Sequence, residues 1–263
     1  MAKLRLACIQ MPVALAQVQK NLAIIERHLQ VLDANEVDII GLPELWTTEF
    51  SFRDTEELAK ESQTGQKQLL KHAKRLKVQF IGSILAGNGP FFNVSESYRK
   101  IHLFTPGNEE RFYQPGNSLE VIRTGPALSG LSICYDLRFP EVFRALSLMG
   151  AQIIWVPAAW PATRRDHWIT LLRARAIENQ VFMVGINRIG KSSEGFSYAG
   201  HSMIIDPWGE TLWDGGPDKE GMGVVEIDLD FISNVRKKIP VWQDARPDLY
   251  QEWIKLWSRK SSF

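Results

Sequence analysis

A chain of 263 residues, 44% hydrophobic and 23% charged, carries 31 Lys and Arg against 30 Asp and Glu, a formal net charge of +1. This excludes a disordered or low-complexity protein, and the dispersed basic residues leave no electrostatic footprint for nucleic acid or an anionic membrane surface. Two cysteines, Cys8 and Cys134, are too few for a disulfide scaffold and lack zinc-site spacing, so a reducing cytoplasm is the expected compartment. Every apolar run is cut by charge, Gly or Pro before the roughly 18 residues of a membrane-spanning helix, and no membrane partner is expected.

In chain order, alternation predicts a first strand over Leu4–Gln10, then a helix over Gln17–Asp33 with Val18, Leu22, Ile25 and Leu29 on one stripe. A strand over Val37–Leu42 precedes a helix over Lys67–Leu76 and a strand over Val78–Leu85. Strand-like runs follow at Tyr98–Phe104 and Leu128–Cys134, then a helix over Pro140–Met149. Ile153–Pro157, Val181–Ile186, Ser202–Ile205 and Gly223–Ile227 read as further strands, with a helix over Arg165–Asn179. With no linker, composition shift or fixed repeat, the expectation is one α/β domain spanning 1–263.

Such folds place reactive groups in loops beyond the carboxyl ends of strands. Three of these strands run into, or contain, a reactive residue. Val37–Leu42 leads to Pro43-Glu44-Leu45-Trp46, Tyr98–Phe104 holds Lys100 among apolar neighbours, and Leu131-Ser132-Ile133 leads to Cys134-Tyr135-Asp136-Leu137-Arg138-Phe139-Pro140-Glu141. A carboxylate, an amine and a thiol can converge there. A thiolate beside a cation is a nucleophile for acyl transfer.

These segments, in this order, resemble the nitrilase, or carbon-nitrogen hydrolase, superfamily over nearly the whole chain. The resemblance implies a four-layer α-β-β-α sandwich and a thioester mechanism. In it Cys134 is the nucleophile, Glu44 the general base and Lys100 the cation facing the oxyanion. It also implies a second glutamate before a Pro-Gly turn; Pro115-Gly116-Asn117 points to Glu109 for that place, with Glu110 adjacent. His102 reads as support for the segment around Lys100, and Arg138 and Glu141 as ion-pair formers beside the site. Cys8 reads as packing inside a strand. The histidines have no metal-ligand spacing, and neither a metal nor another cofactor is expected.

Ala159-Trp160-Pro161-Ala162-Thr163-Arg164, His167-Trp168 and Leu42-Pro43-Glu44-Leu45-Trp46-Thr47-Thr48 are similar to the omega-amidase branch, which implies hydrolysis of the terminal amide of a small 2-oxo acid such as 2-oxoglutaramate. Another short-chain amidase, for deaminated glutathione or N-carbamoyl compounds, is the alternative within the family. Trp46, Tyr135 and Trp160 are candidates for an apolar substrate wall, or else for core packing. A substrate carboxylate requires a cation, for which Arg164 is the first candidate and Arg165 the second. Family resemblance also implies a homodimer, with the tail from about residue 236 in its contacts.

Two readings belong to other classes. Gly185-Ile186-Asn187-Arg188-Ile189-Gly190-Lys191-Ser192 spells a phosphate-binding P-loop, but the glycine-broken segment after it lacks a helical period, so residues 187–201 are expected to form a loop near the substrate pocket. A catalytically dead interaction module on the same fold is opposed by the intact Glu44, Lys100 and Cys134.

Overall fold

The computed structural model describes residues 3–50, 55–87, 92–93, 98–192 and 195–258; residues 193 and 194 of the 187–201 loop, and 259–263 of the tail, lie outside it. In chain order the elements are β1 (Lys3–Gln10), α1 (Val18–Leu29), β2 (Ile39–Gly41), α2 (Thr55–Leu76), β3 (Gln79–Ile81), the short β4 (Ala86–Gly87) and β5 (Phe92–Asn93), β6 (Val121–Thr124), β7 (Ala127–Leu131), α3 (Pro140–Leu148), β8 (Ile153–Ala158) and α4 (Arg165–Asn179). β9 (Phe182–Asn187), β10 (Met203–Ile205), β11 (Thr211–Asp214), β12 (Gly221–Asp228), α5 (Asp230–Lys238), α6 (Val241–Asp244) and α7 (Pro247–Ser258) follow.

The strands form two main sheets, in the orders β12-β1-β2-β3 and β11-β10-β9-β8-β7-β6. Side chains alternate across each strand, and this assigns them to three cores. Leu4, Leu6 and Cys8 of β1 face inward and meet Ile153, Trp155, Val184, Ile186 and Ile204 of the other sheet. Ala7 and Ile9 face outward, where Leu22, Ile25 and Leu29 of α1 cover them. On the far side Ile154, Val156 and Met183 lie under Val142, Phe143 and Leu146 of α3 and Trp168, Leu172 and Ala176 of α4. Each fully buried Leu or Ile in these layers contributes on the order of 1.5–3 kcal/mol relative to exposure. The result is the expected α-β-β-α sandwich, with helices on both outer faces and one apolar layer between the sheets.

β2, β7, β8 and β9 are parallel to a neighbour and end on the same side of their sheets, where the loops that carry the reactive residues emerge. Several expected bounds shift. α2 begins at Thr55, with Glu56 and Glu57 in its first turn, where they complement the helix dipole. The strand expected over Val78–Leu85 pairs only at Gln79–Ile81, because Ser83 leaves the ladder to accept the Leu45 N–H on its hydroxyl (2.9 Å) and the Trp46 N–H on its carbonyl (3.3 Å). β6, β11, α5 and α7 were not among the predicted elements.

The largest difference is at Tyr98–Phe104, which is not a strand. Its N–H groups are met by carboxylates instead of a neighbouring ladder: His102 N–H donates to Asp136 Oδ1 and Phe104 N–H to Glu109 Oε2, each at 2.9 Å. The P-loop reading fails for a similarly local reason. β9 ends within Gly185–Ser192, Lys191 pairs antiparallel with Ser197, and among the described residues there no helix opens for a phosphate to sit on.

Candidate active site

Three loops bring the expected residues together. Glu44 follows β2, held where Leu45 turns through the left-handed region (φ 47°) onto Ser83. Cys134 follows β7 in the same unusual conformation (φ 46°), which a non-glycine residue adopts at an energetic cost and which tips the side chain out of the strand direction. Lys100 comes from the irregular 98–104 segment. Gly116 donates its N–H to the Lys100 carbonyl at 2.8 Å and packs so closely that a Cβ there would run into the Arg99 carbonyl.

Asp136 joins two of these loops. Fully buried, it accepts the Tyr98 hydroxyl (2.7 Å), the His102 N–H (2.9 Å) and the Ile133 N–H (2.9 Å), and faces His102 Nδ1 at 2.9 Å. The His102 ring stacks on Phe139 with centroids 3.5 Å apart. His102 therefore supports the Lys100 segment, as expected, and the sequence reading missed Asp136 as the group it rests on.

At the centre Lys100 Nζ lies 3.0 Å from Glu44 Oε1 and 2.9 Å from Glu109 Oε2. The other Glu44 oxygen accepts the Ala159 N–H at 3.0 Å, and the Cys134 thiol lies within electrostatic reach of the Glu44 carboxyl group and the Lys100 ammonium. All four side chains are buried. Burial pushes the Glu44 carboxyl up, against the pull of Lys100 and with Glu109 adding to the rise. Burial also opposes the Lys100 charge, yet Glu44, Glu109 and Cys134 hold it well above the ordinary lysine value. Burial and Glu44 push the Cys134 thiol up, against Lys100. The ground state this favours is a neutral thiol and a fixed ammonium, with the Glu44 carboxyl group between them. Such a group can transfer a proton from sulfur as the sulfur attacks a carbonyl carbon, and can meet the oxygen that gains charge.

The thiol opens into a cavity of about 470 Å³. Tyr135 and Trp160 line it, Tyr135 held edge-on by Phe104 and Phe139, and Trp160 by its indole N–H donating to the Arg164 carbonyl at 2.8 Å. Ser192, Phe196 and Tyr198 of the 187–201 loop also line it, as that loop's reading anticipated. Trp46 does not. The Ser83 contacts turn its ring into the core beneath the first sheet, where it is buried with residues of α1 and α2. Arg164 lines the cavity, its guanidinium 5.7 Å from the Phe104 ring, whereas Arg165 starts α4 outside it.

Arg138 departs from expectation. It lies over the Trp160 ring at 4.7 Å and lines the cavity. Burial and the neighbouring Arg164 push its pKa down. The ion pairs at this wall are Lys100 with Glu44 and Glu109, and Arg188 with Glu49; among the described residues Arg138, Arg164 and Glu141 take part in none. No three metal-ligating side chains converge among the described residues.

The two-sheet sandwich with a thiol and a carboxylate beyond its strand ends, and an ammonium brought beside them by the 98–104 segment, has the groups of a hydrolase of carbon–nitrogen bonds. The sequence model of the carbon-nitrogen hydrolase family matches residues 5–237. The chain is 36% identical over 261 residues to the 2-oxoglutaramate amidase of Bacillus subtilis (strain 168), covering 94% of this chain and 100% of that one. It is 43% identical over 163 residues to the deaminated glutathione amidase of Dictyostelium discoideum, 59% of this chain and 56% of the other. Among solved structures, a CN-hydrolase superfamily protein from Xanthomonas campestris with an arsenic adduct in its active site superposes with a TM-score of 0.86 at 26% identity, over 94% and 98% of the two chains. The chain belongs to the carbon-nitrogen hydrolase family, and it is an enzyme of that class.

Proposed function

We propose that the protein is an omega-amidase, hydrolysing the terminal amide of a small 2-oxo acid of the 2-oxoglutaramate type and releasing ammonia. The observation that carries the substrate choice is the pair Arg138 and Arg164, two guanidiniums on the wall of the thiol's cavity that, among the described residues, have no carboxylate in ion-pair contact. Two unneutralised cations in one small cavity are costly unless a ligand anion joins them, and guanidinium is the side chain best shaped to hold a carboxylate. The similarity to the Bacillus subtilis 2-oxoglutaramate amidase along almost its full length supports the same reading.

In this mechanism Cys134 Sγ attacks the amide carbon while Glu44 takes the thiol proton, and Lys100 meets the oxyanion. The C–N bond then breaks, the departing nitrogen takes the proton from Glu44 as ammonia, and a thioester to Cys134 remains. Water attacks the thioester, giving its proton to Glu44, which returns it to the sulfur as the acid leaves. Glu109, 2.9 Å from Lys100 Nζ, helps hold that ammonium in place. The two free cysteines suit the reducing cytoplasm in which we place the enzyme.

We also propose a homodimer that uses the tail from about residue 236. Trp253, Ile254 and Leu256 of α7 are 56%, 64% and 51% exposed, a clustering of large apolar side chains typical of a surface awaiting a partner.

The test is ammonia release from a panel of omega-amides. 2-Oxoglutaramate is expected to be the best substrate, and Arg164→Ala and Arg138→Ala each to lower its kcat/KM by about 30-fold or more, as truncating one side of a desolvated charge pair does, while a neutral amide of similar length loses far less. No turnover of 2-oxoglutaramate by the wild type would overturn the reading.

A further inference from the structure

A second charged cluster stands at the cavity wall. Glu49, five residues past Glu44 and in the left-handed region (φ 59°), is buried and lines the cavity. Its Oε1 lies 3.1 Å from Nη1 of Arg188, which follows β9 and is 1% exposed. The Arg188 guanidinium also donates to the Val13 carbonyl and lies 4.0 Å over the ring of Tyr198, another wall residue. A buried ion pair is a poor stability device, since desolvating both charges offsets most of their attraction. Its placement asks for another role.

That role follows from the charges a substrate meets. Arg138 and Arg164 attract a carboxylate and repel an ammonium. Among the described residues two carboxylates line the cavity: Glu109 is neutralised by Lys100, and Glu49, on the wall away from the thiol's own cluster, is neutralised by Arg188. An amide bearing a neutral carbonyl at C2 fits such a cavity; an amide bearing an ammonium at C2 does not. We infer that Arg188, through its ion pair with Glu49, is a specificity-determining residue that sets the preference for 2-oxo acid amides over 2-amino acid amides. The inference rests on the omega-amidase reading above. It is of a selective kind achieved by disfavouring the wrong ligand as much as by holding the right one.

The experiment compares kcat/KM for L-glutamine and 2-oxoglutaramate. Both carry the same amide and the same carboxylate and differ only at C2, so their ratio isolates the charge there. Arg188→Met leaves Glu49 uncompensated and is expected to raise the glutamine to 2-oxoglutaramate ratio by about tenfold or more, while Glu49→Gln leaves Arg188 uncompensated and is expected to lower it; a unit charge a few ångströms away in a partly desolvated cavity is worth at least that factor. Arg188→Lys keeps the charge and is expected to keep the ratio near the wild-type value. The double variant Glu49→Gln/Arg188→Met restores neutrality and should return the ratio towards wild type, a coupling that a mutant cycle detects. Opposite shifts in the two single variants support the inference. A merely structural pair would lower both activities together, so an unchanged ratio, or shifts in the same direction, would overturn it. Wild-type enzyme inactive on 2-oxoglutaramate would instead defeat the omega-amidase reading itself.

Discussion

Cys134 and Cys8 are both buried thiols, and what separates them is their surroundings. Cys8 sits in the apolar layer between the sheets, where burial alone pushes its pKa up. Cys134 has both Glu44 and Lys100 within electrostatic reach. Cys134→Ala is therefore expected to abolish ammonia release with little change in unfolding temperature, and Cys8→Ala to keep activity at some cost in stability; measuring turnover and thermal unfolding on both variants checks this. The raised Glu44 pKa adds a pH prediction. A base works only when ionised, and a pKa raised by burial means protonation at higher pH than for an ordinary glutamate. The acid limb of kcat/KM should consequently fall at a pH above the usual carboxylate range, and Glu44→Gln should remove activity across the whole profile. An acid limb in the ordinary glutamate range would contradict the desolvated environment.

At the level of elements, the site depends on a segment with no regular structure. Residues 98–104 are fixed by Asp136, Glu109 and Gly116 rather than by a sheet, and Lys100 is placed only as well as those contacts hold. Asp136→Asn keeps the shape but puts an amide N–H₂ where donors converge, so at least one of its four partners loses its acceptor. A displacement of about 1 Å in a reacting group can cost about 100-fold in rate, and Asp136→Asn should lower kcat by that order. If Asp136 acts through Lys100, the loss falls on kcat rather than KM, and alkylation of Cys134 by a neutral haloacetamide becomes slower at a given pH because the cation that favours thiolate has moved. Equal alkylation rates in variant and wild type would reduce Asp136 to a purely structural residue.

For the whole molecule, the open question is the apolar face of α7 at the surface. Trp253 pairs with Tyr250 at a centroid distance of 5.4 Å, and both are exposed. A second copy covering this face is the arrangement proposed above. Trp253→Glu places a charge in such an interface, which is strongly unfavourable when desolvated, and should shift the protein from dimer to monomer in sedimentation or light scattering. A wild-type protein that sediments as a monomer at micromolar concentration would end that proposal.

Much of this was legible in the residues themselves. Alternation in β1 and the 3.6-residue stripe in α1 carry their own burial pattern, because a half-buried element must repeat with the period of its backbone. The order of Glu44, Lys100 and Cys134, after or within strand-like runs, marked groups that the fold brings beside one another. What local pattern cannot carry is partnership over long separations. Tyr98–Phe104 reads as a strand, yet its N–H groups find the carboxylates of Asp136 and Glu109, an outcome that depends on where another loop ends. Trp46 and Trp160 look alike in sequence; Ser83 turns one inward, and Asn187 and Arg164 hold the other at the cavity. Arg138 and Arg188 are both arginines beside the site. Only the fold gives a carboxylate to Arg188 and none of those described to Arg138. The sequence determined which groups are present and which elements they sit on, since those follow from local periodicity. The tertiary structure decided which charges are neutralised and which face the cavity, since that depends on contacts between residues far apart in the chain.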